Sequence, residues 1–486
     1  MSNTSGPSQF QDLREGVVGI DREVPLLDGT MRPYVNPDNA ATTPPLRAVV
    51  QAVERFLPYY SSVHRGTGFK SRLSTAVYDQ AHEVIGRFVG ADLNTNTVIL
   101  GKNTTEAINK LSYRLNLAAD AVVITTQLEH HSNDLPWRDR ATVVHVKSTP
   151  DGRLDEADLD RLLARYAPHV ALVTVTAASN VSGFVQPIHR LARKAHRAGA
   201  RILVDAAQLA AHRKLDMRQD DDPEHLDFVA LSGHKMYAPF GTGALIGPQE
   251  IFLRSGPEYS GGGTVDVVTL DEVRWTGLPD REESGSPNVV GAVAMAAAAQ
   301  SLMQLGMENI SAHEDELIAH MLRRLQSIPE VKIYGQSDPG RSREKVGVVP
   351  FNVADLSHFL VAAILGYEHG IGVRNGCFCA HPYVVHLLDL PEREQEVWRQ
   401  QAAEGDKSSL PGMVRASLGC YNTEDDIDRL AEAVEMIARG EYSGDYVVHQ
   451  PSGDLIPAGY AEQFADFFLL QPYESATKVG HGVCGN

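Results

Sequence analysis

One stretch limits what this chain can become: Leu231-Ser232-Gly233-His234-Lys235-Met236-Tyr237-Ala238-Pro239-Phe240-Gly241-Thr242-Gly243. The strand-like run from Leu226 to Leu231 reads as a buried strand. It feeds a short polar turn that carries one lysine, and a glycine-spaced apolar segment follows. Upstream, Ile202-Leu203-Val204-Asp205 reads as a second buried strand with an acid at its C-terminal tip. Open α/β sheets collect their ligands at the carboxyl ends of strands. A lysine and an aspartate delivered to two such ends suit pyridoxal 5'-phosphate: an amine to condense with its aldehyde and a carboxylate for its ring nitrogen. A solvated lysine would not need Ser232, His234 and glycines crowded around it.

The rest of the first 300 residues repeats the strand–helix alternation. Strands are expected near 98–101, 121–125, 143–146, 170–175 and 202–204, and helices over 74–89, 155–166 and 188–198, which implies a doubly wound, mostly parallel sheet. The strand tips carry His130, Asn180, Asp205 with Gln208, and Lys235. Asn103-Thr104-Thr105 opens the helix after the 98–101 strand. Free N–H groups, hydroxyls and the helix dipole make that position a phosphate cradle. Ser286-Pro287 reads as N-cap and first residue of an alanine-rich buried helix from Val289. Beyond about residue 300 the pattern changes to a smaller α+β module. The expected organisation is an N-terminal arm (1–35), a large cofactor-binding domain (36–300), a small domain (301–440) and an aromatic-rich extension (441–486).

Composition narrows the class. The 486 residues are 43% hydrophobic and 22% charged, ordinary for a soluble globular chain. A net charge of −18 with scattered arginines argues against nucleic acid or an anionic membrane as partner. Four cysteines do not make a disulfide framework and fit a reducing cytoplasm. The polar stretch from Met1 to Glu15 has no apolar signal-peptide core. No metal site is expected, because the Cys377/Cys379 pair lacks further ligands at zinc-site spacing.

A family resemblance rests on Asp38-Asn39-Ala40-Ala41-Thr42, Val63-His64-Arg65-Gly66, Thr104-Thr105-Glu106-Ala107, Glu129-His130-His131, Val204-Asp205-Ala206-Ala207-Gln208, Ser232-Gly233-His234-Lys235 and Arg415-Ala416-Ser417. In this order the set resembles the class V aminotransferase family over roughly residues 35–440, closest to group II cysteine desulfurases and selenocysteine lyases. The resemblance implies the fold type I architecture of pyridoxal-phosphate-dependent transferases and a homodimer with its sites between subunits. It gives Lys235 the cofactor bond and the Cα proton, Asp205 the ring nitrogen, and Gln208 the phenolic oxygen. It also makes His130 a catalytic residue that stacks on the ring and shuttles a proton. Thr104, Thr105, Ser232 and His234 hold the phosphate, with Ser286 supplied by the partner subunit. Asn180, Ala40 and Arg374 lie by the substrate, and Arg415 clamps its carboxylate.

Cys379 decides the reaction. The family's Arg-x-Gly-x-x-Cys-Ala pattern falls on Arg374 to Ala380, with Cys379 as nucleophile. The implied activity is conversion of L-cysteine to L-alanine with a Cys379 persulfide, passed to a sulfur-acceptor protein. The alternative is a C–S or C–Se lyase that needs no cysteine nucleophile. Three departures stand out. Gly376-Cys377-Phe378-Cys379 resembles the desulfurase-like domain of molybdenum-cofactor sulfurases, the stretch from 383 to 412 is longer than a simple group II loop, and the 441–486 tail is unmatched. Cys377 reads as a persulfide resolver or plain packing, and Cys484 as an inert terminal cysteine or a mobile acceptor.

Overall fold

The computed structural model describes residues 7–404, 410–449, 453–461 and 463–470, with the side chains of 7–9 and 402 left aside. Its centre is a seven-stranded sheet in the spatial order Asn96–Gly101, Gly243–Pro248, Phe228–Ser232, Arg201–Asp205, Val170–Thr176, Val122–Thr126, Thr142–Val146. Gly243–Pro248 runs antiparallel to both its neighbours, and every other adjoining pair is parallel. The sheet is therefore mostly parallel, as its alternating sequence pattern requires. Both faces are covered. Ile99, Val123, Leu203 and Phe228 pack against Ile108, Leu111 and Trp137 on one side. Leu100, Ile124, Val204 and Leu231 face Ile85, Met295 and Leu191 on the other. Strands buried on both faces read as continuous apolar runs, which is why Ile202-Leu203-Val204 was legible.

The second sheet is antiparallel throughout, in the order Val331–Ile333, Val348–Val353, Met413–Ser417, Arg374–Gly376. Its helices Met307–Gln326, His358–His369 and Glu424–Ala438 share a separate core with Phe351 and Val414. Within Met307–Gln326 the allegiance changes: Met307 and Ile310 belong to the large core, Leu317 and Met321 to the small one. The chain's early residues stitch into this sheet through parallel bridges of Val35 with Ile371 and of Asp38 with Ser417. That pairing sets Asp38 beside the strand that carries Arg415.

Several expectations are corrected. The helix expected over 74–89 spans Phe69–Phe88. The N-terminal arm holds the helix Pro7–Glu15 and two short paired strands, Glu23–Pro25 and Met31–Pro33. The extension is not featureless: Tyr446–Val448 pairs with Leu455–Pro457, and the Tyr446 hydroxyl donates to Glu368 Oε1 at 2.8 Å. The insert forms the helices His381–Leu388 and Glu392–Ala403. Cys484 lies outside the described residues. Among the described residues no single helix is long and apolar enough to cross a membrane.

Candidate active site

The carboxyl ends of the central strands open into a cavity of about 290 Å3 against the small sheet. Ala40, Thr104, Thr105, His130, Asn180, Asp205, Gln208, Ser232, His234, Lys235, Arg374, Cys379 and Arg415 all line it. Thirteen of the fourteen residues expected at the site are thus brought together. Ser286 is not. It borders a separate hollow with Gly101, Glu106, Lys110 and Glu283. It is also not the N-cap: Asn288 is, with Oδ1 accepting from Gly291 N at 2.9 Å.

Lys235 stands in a single-turn helix after Phe228–Ser232, and its Nζ donates to Gln208 Oε1 at 3.3 Å. Burial lowers its amine to about 8, against the opposing pull of Asp205. Burial also raises Asp205, whose Oδ1 accepts from Ala207 N at 3.0 Å. Both groups are pressed towards neutrality by desolvation, the state expected of a buried pair made for a third, ionic partner. His130 is lowered to about 4 by burial and by Lys235. Ser132 N donates to its Nδ1 at 3.1 Å, so the neutral ring carries its proton on Nε2. The turn beneath it is stapled by Glu129, which accepts from Thr126, Asn133 and Thr176 and is raised to about 8 by burial.

The anion cradle is built on the helix Thr104–Arg114, capped by Asn103. Ser232 Oγ accepts from Thr104 N at 2.8 Å and donates to Thr104 Oγ1, tying the lysine turn to that helix start. Thr105 and Ser132 hydroxyls meet at 2.6 Å. A Cβ on Gly243 would stand 2.5 Å from Asn103 Cα, so only glycine lets the strand approach this loop. His234 is lowered to about 4 by burial and Lys235, and contacts Thr42 Oγ1 at 3.3 Å. It therefore serves as a neutral hydrogen-bonding group. A buried amine, a buried carboxylate and a hydroxyl-rich helix N-terminus are the donor set that pyridoxal phosphate requires, and the residues fit it.

On the opposite wall, Arg415 is buried and donates from Nη1 to Asn180 O at 2.9 Å and from Nη2 to Asp38 Oδ1 at 3.1 Å. Its Nε has no partner. Arg374 reaches the other oxygen of Asp38 at 2.9 Å. Phe378 and Cys379 both have positive φ, 52° and 54°, a backbone state non-glycine residues seldom take. The surroundings hold it there. Asn180 Nδ2 donates to Phe378 O at 2.8 Å, His131 N donates to Cys379 O at 2.8 Å, and the Phe378 ring lies under the Arg415 guanidinium. Cys379 is exposed at the cavity rim, whereas Cys377 is buried, bonded to Pro411 O, and raised to about 12 by burial. Cys377 is thus a packing residue in this conformation.

Sequence reasoning missed Asp38, Glu129 and Ser132 as site residues. Asp38 and Glu129 sit inside the motifs that located their neighbours and Ser132 directly follows one, and spacing alone does not distinguish a residue that holds a ligand from one that holds a loop.

The model of the aminotransferase class-V family matches residues 35–430. The chain belongs to the class-V aminotransferase family. Among its relatives are a probable cysteine desulfurase of Halalkalibacterium halodurans, 34% identical and aligned over 86% of this chain and 96% of its own length. A cysteine desulfurase of Haloferax volcanii is 34% identical over 87% and 94% of the two chains. The solved apo cysteine desulfurase of Thermococcus onnurineus superposes with a TM-score of 0.76 at 29% identity, covering 90% of this chain and all of that one. The expected fold type I architecture and family resemblance are borne out.

Proposed function

We propose that the chain is a pyridoxal-phosphate-dependent cysteine desulfurase. The observation that carries it is an exposed cysteine, Cys379, on the rim of the one cavity that also holds the buried Lys235, Asp205 and Arg415. Lys235 would hold the cofactor, Asp205 its ring nitrogen, and Thr104, Thr105, Ser232 and His234 its phosphate. The cofactor supplies an electron sink for charge developing at the substrate Cα. Arg415 binds the substrate carboxylate, and a carboxylate spanning Nε and Nη2 would satisfy its orphaned donor. Lys235, with an amine held near neutrality, carries the Cα proton. Cys379 sulfur attacks the substrate sulfur: an S–S bond forms and the substrate Cβ–S bond breaks. That electron pair passes to Cβ, which takes a proton to give alanine, and Cys379 is left as a persulfide for an acceptor protein.

This reading includes a cytoplasmic homodimer in which Ser286 reaches the partner's site. It is supported by Ser286 lining a hollow other than its own chain's lysine cavity, and by the exposed apolar Val267, Val268 and Leu270 around the hairpin that joins Val265–Val268 to Val273–Trp275. The test is alanine formation from L-cysteine by wild type and Cys379→Ala, with mass spectrometry of the intact chain. Loss of turnover in the variant, with one added sulfur on Cys379 of the wild type, is the expected result. Undiminished alanine and sulfide release by Cys379→Ala would replace the desulfurase with a lyase.

A further inference from the structure

At the amino ends of the central strands of the large sheet, the end away from Lys235, three potential ligands converge on one point. His196 closes the helix Ile188–Arg197, while His225 and Asp227 lead into the strand Phe228–Ser232. That strand's five residues separate the cluster from the lysine turn by about 17 Å. His196 Nδ1 lies 2.9 Å from Pro223 O, and His225 Nδ1 lies 2.7 Å from Asp222 O. A backbone carbonyl only accepts, so each Nδ1 carries a hydrogen. In a neutral ring so held, Nε2 is left as a lone pair.

Both lone pairs are aimed at a carboxylate, which also only accepts. His196 Nε2 is 2.9 Å from Asp227 Oδ2, and His225 Nε2 is 3.7 Å from Asp227 Oδ1. The rings stack at 4.3 Å, and Ile202 N donates to Asp227 Oδ2 at 2.8 Å to fix the carboxylate. With the rings neutral, three acceptors pointed at one another call for a cation among them; a proton on Nε2 is the competing occupant, and titration with zinc separates the two. The two distances straddle the roughly 3.3 Å that separates neighbouring ligands in a tetrahedral site with bonds of about 2.0 Å. Backbone carbonyls on the far ring nitrogens are the usual supports of metal-binding histidines. The helix C-terminus presents the negative end of its dipole. One feature opposes a cation: Arg201 Nε lies 3.8 Å from Asp227 Oδ1, although its Nη2 is engaged by Glu250 at 2.6 Å.

The geometry points to a divalent-metal site of two imidazoles and one carboxylate, His196, His225 and Asp227, suited to Zn2+ or a neighbouring borderline ion and completed by solvent. Two nitrogens and one oxygen at a half-buried surface position favour zinc over calcium or magnesium, which take oxygen ligands. The ion would clip the helix Ile188–Arg197 to the entrance of the lysine-bearing strand. The site is structural and separate from the reaction.

The test uses the full, cofactor-loaded protein, stripped with a chelator and titrated with zinc chloride by calorimetry, alongside His225→Gln and His196→Gln. One zinc per chain in the wild type is expected, with affinity at least about tenfold weaker in either variant and cysteine turnover unchanged. Zinc X-ray absorption on the wild type, which needs no variant to fold, should show nitrogen and oxygen neighbours. Three results would overturn the proposal: no zinc bound by the wild type, leaving only a protonated histidine pair; zinc held equally by the variants; or sulfur in the zinc's first shell, which would place it at Cys379.

Discussion

Replacing Arg415 by lysine keeps the charge and removes the planar fork. In the structure the guanidinium serves two fixed acceptors, Asn180 O and Asp38 Oδ1, and burial lowers it to about 10, still protonated at neutral pH. A lysine ammonium has three donors from a single nitrogen and cannot span Asn180, Asp38 and a substrate carboxylate with the same geometry. One charge-assisted hydrogen bond is lost, worth about 1.5–3 kcal/mol. At about 1.4 kcal/mol per factor of ten, kcat/KM for L-cysteine should fall about 10- to 150-fold. The decisive comparison is cysteamine, which has the thiol and amine but no carboxylate. If Arg415 works through the carboxylate, wild type and Arg415→Lys process cysteamine alike, and the penalty appears only with cysteine. Initial rates of sulfide release on both substrates give the ratio directly, with thermal melting as the control for folding. Equal losses on the two substrates would refute the reasoning and leave Arg415 as an ion-pair partner of Asp38. So would a loss on cysteine of less than about threefold, too small for one charged hydrogen bond.

Two further outcomes follow from packing and burial. Gly243→Ala drives a Cβ to 2.5 Å from Asn103 Cα and 2.6 Å from Leu231 O, backbone that cannot step aside; it should cost about 1–3 kcal/mol and weaken cofactor retention, read as visible absorbance lost on gel filtration, with full retention counting against the cradle. Lys345 is wholly buried, donates to Gln336 O at 2.8 Å, and is lowered to about 7 by burial alone. Its folded value lies below its unfolded one, so between about pH 7 and pH 10 the unfolded chain binds the extra proton and stability rises with pH. Lys345→Met should flatten that rise in urea midpoints across the window, and a slope equal to wild type would show that the amine is not desolvated in solution.

The fold was legible wherever one periodicity ruled a segment. Doubly buried strands made Ile202-Leu203-Val204 and Phe228 to Leu231 plain, with the second strand running Phe228–Ser232 rather than from Leu226, and the residues just past them became the site. Legibility failed where tertiary bonds overrode a local rule. Ser286-Pro287 satisfies every local criterion for a helix start, yet Asn288 takes the cap because its Nδ2 also bonds Phe240 O and Gly241 O. The helix Phe69–Phe88 reads as loop over its first turn because that turn continues a stretch, 60–72, rich in serine, histidine, glycine and arginine. Ser71 and Ser74 are buried there, bonding the backbone of Ser62 and Ser61 respectively.

Asp38 shows the limit most clearly. Its motif was visible, but its role depends on Arg415, 377 positions away. The two meet because a parallel bridge sets Asp38 against Ser417, two residues past the arginine on the same strand. A buried guanidinium left without an anion is costly, about 3–5 kcal/mol when one partner of such a pair is removed. Asp38 keeps Arg415 in place before substrate arrives, and Arg374 on its other oxygen keeps Asp38 in place. If Arg415 binds the substrate carboxylate as proposed, its pocket is pre-organised by the first residues to join the small sheet, and its affinity should depend on a segment that carries none of the reacting groups.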